Sequence, residues 1–225
     1  MNPDRTREAS AWHVTSAQWS RRVLARVPQE AHQLVRAAVH TSRHVTLLAF
    51  TAADTHCHLV LCGPREEVGR AVQAFEGTIS RSRRGQEGFA PAHFTPVLDQ
   101  KHLHRAFFYV GRQDLHHETR RDPYLDANLL ADHLGLRLVD RGAWSRVREH
   151  LPRVRLDELL ELLDEHARQA PRRLPLDAVA EGAAAAIGMA GLSGSRWPVA
   201  AARAAALRAG SVFGLRPGDV AARLA

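Results

Sequence analysis

The residues best placed to do chemistry lie in the apolar run TAADTHCHLVLCG, residues 51–63, where His56 and His58 flank Cys57. On an extended strand side chains alternate, so both imidazoles point to one face and the thiol to the other. Two imidazoles on one strand face form half of a metal site. The competing reading is coincidence: 14 histidines in 225 residues give roughly one such pair by chance. A second pair, His102 and His104, falls on an expected helix, where residues two apart diverge and cannot easily share a metal.

Any further ligand has to come from another element, and the stretch around 101–117 offers a candidate. Tyr109 and Gln113 stand four apart, so an unbroken helix puts both on one face. Tyr109 sits in the otherwise apolar Phe107-Phe108-Tyr109-Val110, where a phenol at the helix edge could face a metal-bound phosphate. Tyr124 is its one rival. The plain alternative is an amphipathic core residue with its hydroxyl at the rim.

The elements that must position these groups follow from hydrophobic period. Residues 11–18 alternate as a strand; 29–43 carry a helical stripe of Ala31, Leu34, Val35, Ala38 and Val39. Strands at 45–52 and 56–62 flank a turn at Ala53-Asp54-Thr55. After Gly63-Pro64, residues 65–84 form a helix burying Val68, Val72, Phe75 and Ile79. A short strand near 93–98 and the helix at about 101–117 complete an order β-α-β-β-α-β-α. That order predicts an α+β fold, an antiparallel sheet of ferredoxin-like type with helices packed on it. Beyond about 122 the texture turns helical: DPYLDANLLADHLGLRL, the stretch from 155, and Ala-rich helices at 176–190 and 198–212. We therefore expect two regions, 1–145 with the sheet and 146–225 all-α.

Composition bounds the partners. Hydrophobic residues make up 45% and net charge is +7. Lys101 is the sole lysine, so the positive charge is arginine, whose planar fork matches phosphate. A coding bias toward arginine explains the same composition equally well. Two cysteines are too few for a disulfide framework and point to a reduced, intracellular setting. The first residues lack the apolar core of a signal peptide. No stretch reads as a membrane span, since the Ala-rich 178–191 is short and carries Glu181.

Taken in order, these motifs resemble the single-tyrosine HUH transposases, especially the REP-associated tyrosine transposases. The family opens with a strand like YHVTSRG, and this chain has Trp12-His13-Val14-Thr15-Ser16-Ala17. Its hairpin runs like AYVLMPNHVHLLL, here AFTAADTHCHLVL. Its basic helix end is matched by ISRSRRGQEGFAPAHF and its tyrosine helix by FFYVGRQDL. The likeness spans roughly residues 11–140. The chain departs at Thr55, His93 and Gln113-Asp114, where the family has Asn, Arg and Asn-Pro. The resemblance implies that His56, His58 and Gln113 hold a divalent metal, Mg²⁺ or Mn²⁺. It implies that Tyr109 is the nucleophile that nicks single-stranded or hairpin DNA through a 5′-phosphotyrosine. Arg81, Arg83, Arg84 and Arg112 would touch the DNA backbone, or merely form solvated helix ends. It implies a cytoplasmic, nucleoid-associated protein acting as monomer or homodimer.

Residues 198–225 resemble the start of a DnaA-type helix-turn-helix that stops where the recognition helix would begin. Base readout by this tail is therefore not expected. Three functional readings compete: a metal-dependent DNA nickase and strand transferase, a catalytically silent DNA-binding protein of the same fold, and a general metal binder. Whether Tyr109 and Gln113 share the sheet face of His56 and His58 separates the first two.

Overall fold

Trp12, Val14 and Ser16 are buried while His13, Thr15 and Ala17 are only half-buried, the alternation of a strand with two unlike faces. In the computed structural model, which describes residues 10–83, 88–116, 127–169 and 176–224, this strand is β1 (Ala11–Ala17). It pairs antiparallel with β3 (His56–Cys62) and β4 (His93–Val97). β3 pairs antiparallel in turn with β2 (Thr46–Ala53). The order is β2-β3-β1-β4, and the chain is α+β around this four-stranded antiparallel sheet.

One face carries Trp12, Val14, Phe50, Cys57, Leu59 and Leu61. Two helices cover it, α1 (Pro28–Thr41) and α2 (Arg65–Ser82). Of the expected stripes, Ala31, Leu34, Val35 and Ala38 are buried on α1, with Val39 half-buried, and Val68, Val72, Phe75 and Ile79 are buried on α2; Ala37 and Ala71 join them. Full burial of each large member contributes about 1.5–3 kcal/mol. The opposite face, with Ala11, Leu48, Ala49, Val60 and Val97, takes α3 (Gln100–Gly111) through Leu103, Ala106, Phe107 and Val110. Asp99 caps α3, its Oδ1 accepting from the His102 N–H at 2.7 Å, and so satisfies a donor at the helix start.

The helix expected over 101–117 is interrupted. It ends at Gly111, and a single turn, α4 (Gln113–His116), follows Arg112. Gly111 is the point where Leu162 packs on this helix: a Cβ there would stand 2.9 Å from a methyl of Leu162. The close approach needs glycine, which also weakens the helix. Asn128 then bridges to Thr51, and the backbone of Ala127 and Leu129 bonds to Ala52 and Phe50, so 127–129 runs along β2.

The described residues beyond this point are helical or connecting: α5 (Leu130–His133), α6 (Ala143–His150), α7 (Leu156–Gln169), α8 (Leu176–Ala186), α9 (Trp197–Val212) and α10 (Pro217–Leu224). The boundary expected after residue 145 falls inside α6. One apolar cluster joins Val60, Phe107, Leu159, Val179, Val199 and Val220, so the later helices share buried surface with the sheet. Among the described residues no helix is long and apolar enough to cross a membrane.

Three buried polar side chains pin the 127–140 segment. Arg137 and Asp132 are fully buried and paired, with Nη2 2.6 Å from Oδ2, while Asp132 Oδ1 accepts from the Val139 and Asp140 N–H groups. His133 is buried and donates from Nε2 to the Leu48 carbonyl at 2.9 Å. Burial holds its pKa down at about 4, against 6.5 in the unfolded chain. A depressed pKa means that the unfolded state binds the proton first. Stability is therefore full above pH 6.5 and falls toward pH 4, by about 3 kcal/mol for this group. Urea midpoints measured across that window should fall less steeply for His133→Gln than for wild type. An equal slope would mean that other groups carry the acid sensitivity.

Candidate active site

The β1–β3 register sets Thr15 opposite His58, Ala17 opposite His56 and His13 opposite Val60. Residues opposite one another share a face, so His13 lies diagonal to His58 on the same side of the sheet. The two rings stack at 5.2 Å, and His13 Nε2 lies 3.0 Å from His58 Nδ1 in a hydrogen bond. Thr15 Oγ1 is 3.3 Å from the same nitrogen. The His56 ring meets His58 edge-on at 4.7 Å. Cys57 points to the opposite face; burial raises its thiol pKa and keeps it unreactive.

α3 lies over the histidine face and brings Tyr109 to it. The phenol ring is edge-on to both His13 and His58, with centroids at 5.4 and 5.8 Å. Its neighbours on the helix are buried, yet Tyr109 itself is 47% exposed, enough for a polymer to reach the ring. Two bonds fix this end of the helix. Thr51 Oγ1 donates to the Val110 carbonyl at 2.9 Å, and His166 Nε2 donates to the Gly111 carbonyl at 3.0 Å.

Gln113 lies differently from the sequence expectation. The break at Arg112 takes it off the helix of Tyr109, and it is buried where Tyr109 is exposed. One unbroken helical face no longer holds both, because the turn after Gly111 rotates the chain. Gln113 Nε2 donates to the Tyr109 carbonyl at 3.4 Å.

The arginines have mixed surroundings. Arg81 is exposed and donates to Thr78 Oγ1 at 3.3 Å. Arg83 donates to the Leu24 carbonyl, and Leu24 N–H donates to the Asp54 carbonyl. These bonds place the end of α2 beside the β2–β3 turn, at the His56 end of the sheet. Arg112 pairs with Glu165 at 3.2 Å and lies over Phe108. Arg84 and Tyr124 lie outside the described residues.

No family model matches this chain, and no curated protein matches it. One solved structure, described as a REP-associated tyrosine transposase bound to a REP hairpin, is similar over 48% of this chain and 68% of that one. The identity is 14% and the TM-score 0.42, values at which the likeness carries no weight for chemistry.

Sequence reasoning passed over His13. Its signal was present, since it shares the parity of the face on which β1 would meet a histidine strand, but the cross-strand register was needed to read it. Burial, with His93 and His102 nearby, lowers its pKa to about 4. His13 is therefore neutral at pH 7 and keeps a lone pair to give or a proton to share. Among the described residues no three His, Cys, Asp or Glu side chains converge as a metal cage.

Proposed function

We propose that this chain nicks and rejoins single-stranded or hairpin DNA, with Tyr109 as nucleophile, on a sheet of ferredoxin-like order. The observation that carries the reading is the half-exposed Tyr109 ring held against His13 and His58. A structural core tyrosine would need neither the exposure nor two imidazoles.

The donor set fits a divalent ion in part. His56 and His58 would each supply a nitrogen. Gln113 would supply Oε1, since its amide nitrogen is engaged by the Tyr109 carbonyl. Phosphate oxygens and water would complete the sphere. When bound, such an ion supplies Lewis-acid polarisation of the scissile phosphate. The chain's own groups do the rest. Tyr109 Oη forms a bond to phosphorus as the P–O3′ bond breaks, and the phenol's proton is balanced by the one the 3′ oxygen gains. The link is a phosphodiester, so its energy is kept and the strand can be resealed. His58 bound through Nε2 must carry its proton on Nδ1. His13 Nε2, 3.0 Å away, would then accept it and hold the ring in place. Arg81 is the exposed candidate for a backbone phosphate. Arg83 and Arg112 would first have to give up Leu24 and Glu165.

The test is incubation of the full chain with end-labelled hairpin oligonucleotides and Mn²⁺, run on a denaturing gel. A covalent protein–DNA band that His56→Ala abolishes supports the reading. Hairpins retarded on a native gel with no covalent band would favour the silent DNA-binding alternative. The orienting role has its own measurement. His13→Phe should weaken Mn²⁺ binding by about 10–100-fold, with partial recovery in His13→Gln, followed by titration calorimetry. Equal affinity in wild type and His13→Phe would remove His13 from the site.

A further inference from the structure

On the flank where α1 meets α8, a cleft of about 460 Å³ is lined by Arg36, Asp140, Arg141, Ile187 and Pro198, among others. Its charge is unbalanced. Asp140 pairs with Arg146 and accepts from the Gly142 N–H at 3.1 Å, so this carboxylate is already committed. Arg36 differs: its Nε is buried and has no hydrogen-bond partner among the described residues. The guanidinium is set in place by Gly188, where φ is +75° and a Cβ would stand 2.9 Å from Nη1. Only glycine suits both that backbone and that approach. Burial and the neighbouring positive charge of Arg137 both act against the charge on Arg36, a cost that a bound anion would relieve.

An aromatic adjoins the lining residue Arg141. Arg141 lies 3.8 Å over the ring of Trp197, which is 62% exposed. Trp197 opens α9, and Pro198, its next residue, lines the cleft. A half-buried cation in the lining and a second cation fixed on an exposed indole together suit a phosphate with a flat group beside it.

We propose that this cleft binds a phosphate of single-stranded nucleic acid, with the adjoining base stacked on Trp197. The site is separate from the Tyr109 face and stands whether or not that face is catalytic. Base–aromatic stacking tolerates any sequence, and the guanidinium of Arg36, which lines the cleft, supplies a charge-assisted bond to a phosphate oxygen. The cleft would grip a strand without reading it.

The experiment follows Trp197 fluorescence in the full chain carrying Trp19→Phe, which removes the other strongly exposed indole. The probe is an oligothymidylate of about ten nucleotides. Saturable quenching is expected. Arg36→Gln should weaken it roughly tenfold and lower the log–log salt slope by about one. Arg141→Gln should behave likewise, which guards against a folding defect in either variant alone. Arg155→Gln removes the same charge from an ion pair with Asp157 elsewhere and should leave binding within about twofold. Thymidine monophosphate and inorganic phosphate are titrated in parallel. Quenching by the oligonucleotide far below the concentration at which either small ligand acts supports the strand. Equal action by the free nucleotide overturns the strand as ligand, and by inorganic phosphate the role of Trp197. An unresponsive Trp197, or equal losses in Arg36→Gln and Arg155→Gln, overturns the site.

Discussion

Tyr109→Phe is expected to abolish the covalent protein–DNA adduct and to lower strand cleavage at least about a thousandfold, while hairpin retention on a native gel should stay within about twofold of wild type. The asymmetry follows from what the change removes. Phenylalanine keeps the ring that stands edge-on to His13 and His58, so the packing of α3 is unchanged. Only the hydroxyl is lost, and no other atom of the ring can bond to phosphorus. A parallel His58→Ala should also lose cleavage, but it opens a gap under the phenol and frees His13 from its 3.0 Å bond, so its thermal midpoint should drop as well. Denaturing gels and melting curves on the three proteins separate the two effects. An adduct of wild-type yield in Tyr109→Phe would transfer the nucleophile to another residue and end the proposed chemistry.

Asp132→Ala is expected to cost about 3–5 kcal/mol of folding stability, a large part of the roughly 5–15 kcal/mol that such chains possess. Arg137 and Asp132 are both fully buried, and Arg137 reaches Oδ2 with both Nε and Nη2. Removing the carboxylate strands a cation in the apolar interior and also orphans the N–H groups of Val139 and Asp140. Because the penalty is mostly that of an uncompensated charge, the double change Asp132→Ala with Arg137→Met should recover much of the loss. Urea unfolding of wild type, single and double variants closes the cycle. A double variant no better than the single one would locate the cost in the backbone donors instead.

Much of the fold could be read from period alone, because strands and amphipathic helices each leave a repeating pattern. Trp12, Val14 and Ser16 announced β1, and the stripes of α1 and α2 fell where the helices now pack. The facing of His56 and His58 followed from strand parity. What failed was phase across a break. Tyr109 and Gln113 share a helical face only if the helix runs through Arg112, and the interruption there leaves no signal in the apolar period of the segment. His13 stayed hidden for a related reason: its partnership with His58 is a matter of register between strands 45 residues apart. The Arg36 cleft needed three distant segments to meet and left no local trace.

The strip at 127–129 has a consequence for how copies of this chain could meet. β2 and β4 are the two outer strands of the sheet. Along β2, backbone groups of Phe50 and Ala52 are already taken by Leu129 and Ala127. β4 is five residues long and includes Pro96, which has no N–H to offer. Both borders are thus partly blunted against a strand from a second molecule, a route to β-aggregation. Contacts between copies made by side chains on helical surfaces could therefore be tuned by point substitution without unpicking the sheet.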